Sequence, residues 1–407
     1  MENVYLVSCS NRKLPHAAPA KELYTSPTFQ AARRLAELRG STWFIVSAKH
    51  GILTPDTHIE PYDVALTNLS YEDRSRWTRT VTEAIRELIP LNSETTILAD
   101  DFYAEQLTPR LRQLGYPLRL PFLGRRKETH LLWLTEVLDG SVRSSHLDRL
   151  YELLGVLSEG LGGLQEFDEV TADMNWPHRG VYFFFEDSEK RFFHESIQRV
   201  TRVGTHAVSK GSKSTLWQRL RTHRGTSLGE GGHRSSILRL HIGTALMAKS
   251  PERFTVSTWG QGQTADRQTR EAEKQLEEEV SRYIRKMKLL WLSIGDSPSP
   301  ASDRSYIERN TIALLSGPVG PIDFASASWL GTYCVNPAVK KSSLWNVDFV
   351  DDIYDSRFLD VFSKFVDITL GRIALPLHSI APEGWYRTGG AITNPNQTHL
   401  FNGDVTK

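Results

Sequence analysis

A chain of 407 residues is about two to three times the size of a typical domain, so we expect two or three compact units. Its 39% hydrophobic and 24% charged residues are ordinary for a globular protein and exclude collagen-like, coiled-coil and wholly disordered classes. Cys9 and Cys334 are its only cysteines, too few for a disulfide framework or a zinc site built on thiolates. No stretch reaches the ~20 apolar residues of a membrane span, and the first positive charges follow the first apolar run, so we expect a cytoplasmic protein with no membrane partner.

The first part of the chain alternates strand-like and helix-like segments. Short apolar runs rich in β-branched residues predict strands buried on both faces of a sheet, at 4–9, 42–48 and 95–100. Between and after them, helical periodicity predicts helices at 26–40, 71–89 and 103–114. The alternating order is typical of an open α/β domain with a mostly parallel sheet, which we assign to residues 1–140.

The rest of the chain begins with a helix-like segment at 146–163 that is closed by glycines, so we treat 141–178 as a helical linker. Two strand-like runs, 179–186 and 198–206, are separated by a polar, turn-rich segment and predict a β-hairpin. Further elements are predicted as helices at 215–225, 264–287, 305–317 and 355–368 and as a strand at 289–295. We therefore expect a second, α+β unit over 179–407 that ends in a C-terminal extension.

Positive charge is concentrated in one segment, although 49 Lys and Arg nearly balance 48 Asp and Glu over the whole chain. Between Arg199 and Arg253, eleven Lys and Arg residues and four histidines stand against Glu230 and Glu252 alone. Such a segment predicts a face that binds a polyanion, because clustered cations bind phosphates. The candidate DNA contacts are Lys210, Lys213, Arg221, Arg224 and Arg234.

The second unit contains the residue types that phosphodiester hydrolysis requires. Tyr182 lies on a predicted strand, and Arg219 and His223 lie on a predicted basic helix. Glu308 lies at the start of an apolar helix. The chemistry needs a base that activates water, cations that stabilise charge on the phosphorane, and a carboxylate that holds a divalent metal. Spacing alone does not show that these side chains converge.

The order of these residues along the chain points to a family. The ordered elements are Gly180-Val181-Tyr182, Arg202-Val203-Gly204, Arg219 with His223 four residues later, Glu308 and a downstream Asn. This set resembles the GIY-YIG nuclease family, whose members cut DNA with one divalent metal and have a small three-stranded sheet flanked by helices. The resemblance covers about 179–350.

The resemblance implies a role for each matching residue. Tyr182 would act as the general base or position it. Glu308 would be the sole protein ligand of Mg²⁺ or Mn²⁺, which fits the way magnesium is held by few carboxylates. Arg219 would stabilise charge on the scissile phosphate, and His223, on the same helix face, would relay or accept a proton.

Asn346 is the better match for the family's late Asn, and Asn336 is its rival. At one position the chain departs from the family, because Arg202 stands where the second motif has a tyrosine. Either His206, two residues beyond Gly204, takes over the hydrogen bonds of the missing phenol, or the metal-assisted water is deprotonated in another way. A DNA-binding module that has lost cleavage is a further alternative.

Polar residues follow the predicted strands of the first unit, at the ends where ligands bind in open parallel sheets. The candidate pocket residues are Ser8, Cys9, Lys13, Ser47, Lys49, His50 and Asp100. The C-S-x-x-K pattern that begins at Cys9 and the S-A-K-H-G pattern that begins at Ser47 resemble an uncharacterised bacterial and phage domain family. That family is similar to peroxide-stress DNA-binding proteins and to domains attached to deazapurine transglycosylases. We expect one nucleotide or nucleobase pocket that contains both segments.

Three functions fit these observations. The first is a metal-dependent DNA endonuclease, used in defence or in modification-dependent restriction, whose N-terminal unit recognises a nucleotide or base. The second is an enzyme whose first unit excises an extruded base and whose second unit nicks the DNA. The third is a non-catalytic DNA-binding regulator. Each of the three functions is compatible with a homodimer.

Overall fold

The computed structural model describes residues 3–39, 42–226, 229 and 231–387. The elements of the N-terminal unit, in chain order, are β1 (Asn3–Ser8), β2 (Ala18–Pro19), α1 (Ala20–Leu23), α2 (Pro27–Leu38), β3 (Thr42–Ser47), β4 (Gly51–Leu53), β5 (His58–Ile59), α3 (Tyr71–Leu88), β6 (Glu94–Leu98), α4 (Asp101–Gln113), β7 (Leu118–Arg119) and α5 (Lys127–Asp139). The strands and helices predicted for this unit are confirmed, with small shifts at their ends.

A five-stranded sheet with the order β4-β3-β1-β6-β7 forms the centre of this unit. β1 pairs in parallel with β3 and β6, β6 pairs in parallel with β7, and β4 runs antiparallel to β3. Tyr5 and Val7 pack in the core on one face, and Val4 and Leu6 pack in the core on the other. β3 lies on one side of β1 and β6 lies on the other, so the connections after β1 and after β3 run in opposite directions across the sheet. The carboxyl ends of β1 and β6 therefore flank a crevice. Open α/β sheets bind ligands in such crevices.

The elements of the C-terminal unit are α6 (Val142–Gly160), β8 (Gln165–Glu166), β9 (Gly180–Lys190), β10 (Gln198–Gly204), α7 (Leu216–Arg224), α8 (Ile237–Lys249), α9 (Arg267–Arg285), β11 (Lys288–Ser293), α10 (Asp303–Ser316), α11 (Pro337–Ser342) and α12 (Phe358–Thr369). Its antiparallel sheet has the order β10-β9-β11-β8, which confirms the predicted hairpin. None of the described helices is long and apolar enough to cross a membrane.

β9 is buried on both faces, because alternate side chains of a strand point to opposite sides of the sheet. Val181, Phe183 and Phe185 enter the core that also contains residues of α6, α10 and α12. Tyr182 and Phe184 enter the core that contains residues of α7, α8 and α9. A single run of aromatic residues therefore joins the two halves of the unit.

Residues 141–178 do more than link the two units. Leu147, Leu150, Leu154 and Leu157 of α6 are buried in the same core as β9. Their spacing places them on one face of the helix, as a core-facing helix requires. α6 is therefore an integral part of the second unit, in contrast to the expected linker.

The two units share a buried apolar interface centred on Trp133 of α5. This indole is fully buried and donates its Nε1–H to the carbonyl of Pro321 at 2.8 Å. Phe192 and Phe324 of the second unit lie in the same hydrophobic cluster as Trp133 and the first-unit core. The segment that follows α10 is therefore packed against the first unit.

Arg125 holds the same segment by hydrogen bonds. Its guanidinium is buried and donates to the carbonyls of Val319 and Lys341. Gly320 has a φ of +111°, and a Cβ there would lie 1.1 Å from Nη1 of Arg125. Only a glycine allows the chain to pass this guanidinium.

Candidate active site

Tyr182 lies on β9 opposite Gly204 of β10. Its side chain is fully buried, and its hydroxyl oxygen is 2.7 Å from Nε2 of His223 on α7. A Cβ at Gly204 would lie 2.3 Å from both Cζ and Oη of Tyr182, so the ring packs directly on the glycine backbone. A Cβ at Gly180 would lie 2.1 Å from the carbonyl oxygen of Leu292. Both motifs therefore require a glycine, because other atoms lie too close to the backbone at these positions for a Cβ.

His223 bridges two hydroxyl groups. Its Nε2 contacts the hydroxyl of Tyr182, and its Nδ1 is 2.7 Å from Oγ of Ser236. Ser236 caps α8, where its Oγ accepts the backbone N–H of Arg239 at 3.2 Å. Burial lowers the pKa of His223 well below its usual value, and three nearby arginines lower it further. The imidazole is therefore neutral, with one ring N–H to share between two hydroxyl partners.

Glu308 reaches the end of β10 from the second turn of α10. The sequence predicts it in the first turn, but Ser302 caps the helix and Asp303 begins it. Oε1 of Glu308 accepts the backbone N–H of Thr205 at 3.0 Å. Burial raises the pKa of Glu308 to about 7, and two nearby arginines and this N–H offset part of the effect.

Arg202 and Arg219 approach Glu308 from two different elements. Arg202 on β10 donates from Nη1 to the carbonyl of Trp345 at 2.7 Å, and Arg219 on α7 donates from Nη1 to the carbonyl of Ser235 at 3.2 Å. Within the described residues, Nε of each guanidinium is shielded from solvent and has no hydrogen-bond partner. Both positive charges lower the pKa of Glu308. Two guanidinium groups with spare donors beside a carboxylate are suited to binding a phosphate.

Asn346, rather than Asn336, lies beside the second motif. Its Oδ1 accepts the N–H of Val203 at 3.0 Å, and its Nδ2 donates to the carbonyl of Val203 at 2.8 Å. Asn336 instead caps α11 by accepting the N–H of Ala338 at 2.9 Å. Asn346 thus hydrogen-bonds β10 as a neighbouring strand would, and it fixes the backbone next to Arg202.

His206 is buried next to Arg304, which donates a hydrogen bond to its carbonyl. Burial and the charge of Arg304 lower the pKa of His206 to about 3, so this ring is neutral. In the described part of the chain, no hydrogen bond joins His206 to Tyr182 or Glu308. The geometry gives no support to His206 as a replacement for the missing phenol.

The five candidate DNA contacts fall into two groups. Three are exposed, in the connection between β10 and α7 or on α7 itself: Lys210, Lys213 and Arg221. Arg224 instead donates to backbone carbonyls, and Arg234 forms hydrogen bonds of 2.6 and 2.7 Å with the carboxylate of Glu273. Acidic residues of α9 therefore neutralise part of the positive segment.

Glu308 is a residue that could hold a metal ion. In the described ranges, no group of three His, Cys, Asp or Glu side chains is arranged to hold one. Glu308 is half-buried as a residue, and one oxygen of its carboxylate accepts the N–H of Thr205. Mg²⁺ keeps several waters and is commonly held by one or two carboxylates and substrate phosphates, so this donor set fits it. A cation here would also favour the ionised form of a carboxyl group whose pKa is raised to about 7.

The candidate pocket residues of the first unit fall into two places. Those that line a cavity at the ends of β1 and β6 are Ser8, Cys9 and Asp100. Those that surround Tyr62 are Lys13, Ser47, Lys49 and His50. The hydroxyl of Tyr62 is 2.7 Å from Oγ of Ser47, and the ammonium groups of Lys13 and Lys49 lie 4.3 and 5.3 Å from its ring centre. Three of the seven residues expected in one pocket therefore line this cavity, and the other four lie around Tyr62.

Residues 141–371 match the family described as GIY-YIG domain, and this match includes more than half of the chain. The chain therefore belongs to the GIY-YIG family, as the order of its motifs predicts. Residues 4–136 match a family of unknown function (DUF6884).

Among curated proteins, the chain is similar to the uncharacterized protein YfjM of Bacillus subtilis (strain 168), with 38% identity over 71 residues. This match covers 16% of the chain and 47% of YfjM, so the chain spans about half the length of that relative. No solved structure matches the chain.

Two residues that shape the site are not identified from the sequence. Ser236 precedes an apolar helix, as a capping serine does, but this pattern does not reveal that its hydroxyl contacts His223. Thr205 binds Glu308 through its backbone N–H, which almost every residue type supplies, so no sequence pattern marks it.

We expect Gly204→Ala to displace the ring of Tyr182 and break its hydrogen bond to His223. The new Cβ would lie 2.3 Å from two atoms of Tyr182, so the free energy of unfolding should fall by about 1–3 kcal/mol, measured by urea denaturation. Gly155→Ala on α6 is the control, because no atom lies within 4 Å of its new Cβ. Identical unfolding curves for the two variants would contradict the packing of Tyr182 on Gly204.

Proposed function

We propose that the chain is a Mg²⁺-dependent DNA endonuclease. The observation that carries this proposal is the convergence of the Tyr182–His223 hydrogen bond, two guanidinium groups and the carboxylate of Glu308 at the Gly204 end of the sheet. Membership of the GIY-YIG family supports the same conclusion. These groups supply a base, positive charge for the phosphorane and a metal ligand, which are the requirements of phosphodiester hydrolysis.

The base in this proposal is Tyr182 together with His223. A guanidinium does not accept a proton at neutral pH, so Arg202 cannot replace the missing tyrosine as a base. Neutral His223 has Nε2 at 2.7 Å from the hydroxyl of Tyr182, so it can take the phenol proton as the phenol takes one from water. Transfer in this direction needs the ring proton on Nδ1, donated to Ser236. The hydroxyl oxygen of Ser236 can accept that N–H.

Arg202 and Arg219 supply the positive charge. In the proposal, both bind the scissile phosphate through guanidinium N–H groups that their hydrogen bonds to Trp345 and Ser235 leave unused. Arg202 then provides charge at the position where the family has a phenol. A divalent cation bound by Glu308 would supply further electrostatic stabilisation of the phosphate oxygens.

We also propose that the first unit recognises a base or nucleotide feature, so that cutting serves modification-dependent restriction or another defence against phage DNA. Support comes from the cavity at the ends of β1 and β6. Further support comes from the buried interface that joins this unit to the segment preceding Asn346.

Incubation of the protein with Mg²⁺ and a panel of unmodified and modified phage DNAs tests this function. We expect cleavage that a chelator suppresses and that differs between the modified and unmodified DNAs. DNA binding without cleavage of any DNA in the panel would favour the non-catalytic regulator instead.

Glu308→Gln should abolish cutting and leave DNA binding largely intact. The amide keeps the shape of the side chain but lacks the charge that would hold a cation, so we expect a fall in rate of ~10²-fold or more. Plasmid nicking measures the rate, and fluorescence anisotropy measures binding. Glu159→Gln on the exposed face of α6 is the matched control and should cut normally. Normal cutting by the Glu308 variant would refute the metal-ligand role.

Arg202→Met should lower the cleavage rate by about 10²–10³-fold, because it removes a charge directed at the phosphate. Arg372→Met, in an exposed position after α12, should have no effect. Arg202→Lys keeps the charge and should recover part of the loss, which separates a catalytic defect from a folding defect. Arg202→Tyr restores the residue of the family motif. If that variant cut as fast as the wild type, the phosphate role of Arg202 would be contradicted.

Charge reversal of Lys210, Lys213 and Arg221 to Glu should weaken DNA binding and flatten its salt dependence. Each lost phosphate contact reduces the slope of log K against log salt by about 0.9, so we expect a change of up to about 3. The control reverses three exposed cations elsewhere: Lys190, Lys364 and Arg372. An unchanged slope in the first variant would show that DNA binds to another surface.

A further inference from the structure

A cavity of about 340 Å³ lies at the carboxyl ends of β1 and β6, where the strand order of the sheet reverses. Its wall includes Ser8 and Cys9 at the end of β1 and Asp100 after β6. This volume is at the lower end of the ~300–1,000 Å³ range of small-molecule sites. The cavity therefore accommodates one ligand of about nucleotide size and not a duplex.

Three helices begin at this cavity. Residues of the caps or first turns of α2, α4 and α5 line it: Ser26, Thr28, Phe29, Phe102, Tyr103 and Lys127. Helix N-termini carry partial positive charge, which favours an anion, although Ser26 already accepts the N–H of Phe29. Arg12 and Lys127 add exposed cations to the same wall. The carboxylate of Asp100 already accepts the N–H of Tyr103 at 3.3 Å and lies 3.7 Å from Nζ of Lys127.

The wall also carries aromatic surface. Phe122 and His130 are stacked there, with ring centres 4.1 Å apart and ring planes 6° apart. His130 is buried, and burial lowers its pKa, so the ring is neutral. Within the described chain, Nε2 of His130 has no hydrogen-bond partner. A planar heterocycle with polar edges is the kind of ligand that such a wall can stack and pair.

We propose that this cavity binds one nucleotide, with its phosphate at the helix N-termini and its base against the aromatic wall. The proposal deepens the recognition role proposed above, and it rests on that role only for the biological source of the nucleotide. Two sources share this chemistry: a free nucleoside monophosphate, and a nucleotide extruded from DNA. The experiment has one arm for each.

The full-length Glu308→Gln variant is the protein for both arms, because it should bind DNA without cutting it. Calorimetric titration with the four deoxynucleoside monophosphates tests the free source. A duplex with a mismatched 2-aminopurine, whose fluorescence rises when it is unstacked, tests the extruded source. We expect one-to-one binding in at least one arm.

Added substitutions locate the binding site. Thr67→Trp, at an exposed residue of the wall, should fill the cavity mouth and weaken binding at least tenfold. Thr80→Trp on the exposed face of α3 is the matched control and should not change binding. His130→Phe keeps the aromatic stack but removes the ring nitrogen Nε2 that would pair with the ligand. It should therefore also weaken binding.

A calorimetric signal that is lost in Thr67→Trp and kept in Thr80→Trp supports binding of a free nucleotide. A fluorescence signal that is lost in Thr67→Trp and kept in Thr80→Trp supports binding of an extruded nucleotide. The absence of both signals, or signals that neither Thr67→Trp nor His130→Phe weakens, overturns the proposal. Cleavage by the wild type is measured separately. If the wild type does not cut but the Glu308 variant binds a nucleotide in this way, the endonuclease assignment fails and the cavity assignment stands.

Discussion

The contact between the ring of Tyr182 and the backbone of Gly204 is the constraint on which the candidate active site depends. A Cβ at Gly204 would occupy the place of the phenol, so the glycine is what lets the hydroxyl reach His223. The residue after this glycine, Thr205, then presents its N–H to Glu308. One close approach between two strands therefore positions both the Tyr182–His223 hydrogen bond and the N–H that Glu308 accepts. Arg202 enters the site from the same strand as Gly204, which is why the charge and the glycine are found together.

The segment after α10 connects this site to the first unit. Trp133 and Arg125 hold it at one end, and Asn346 hydrogen-bonds Val203 at the other. The ring of Trp133 also packs edge-on against Phe122 of the cavity wall, with ring centres 5.6 Å apart. The shared core explains why the two units are one packed structure and not two domains on a flexible linker.

Local patterns were sufficient to predict most helices and strands. Apolar residues recur about every 2 positions along a half-buried strand and about every 3.6 positions along a helix with one buried face. The order of the motifs points to Tyr182, His223 and Glu308. The first two are hydrogen-bonded, and Glu308 accepts the N–H of the residue after Gly204, on which Tyr182 packs. Contacts between distant segments could not be predicted in this way. Tyr62 lies against Ser47 and Lys49 of the expected pocket, and α6 joins the core of the second unit. Pairing of basic residues with α9, and the contact of Ser236 with His223, likewise depend on tertiary packing.

The relay of Tyr182 and His223 is tested most directly by the cleavage rates of Tyr182→Phe, His223→Gln and the double variant, with DNA and Mg²⁺ at saturation. Each single substitution should lower the rate by about 10²–10⁴-fold. Residues that act as one unit are not additive, so the double variant should cut about as slowly as the slower single variant. Tyr306→Phe, which removes another buried phenol and its hydrogen bond to Asp355, should cut normally. A loss in the double variant equal to the product of the two single losses would contradict the relay.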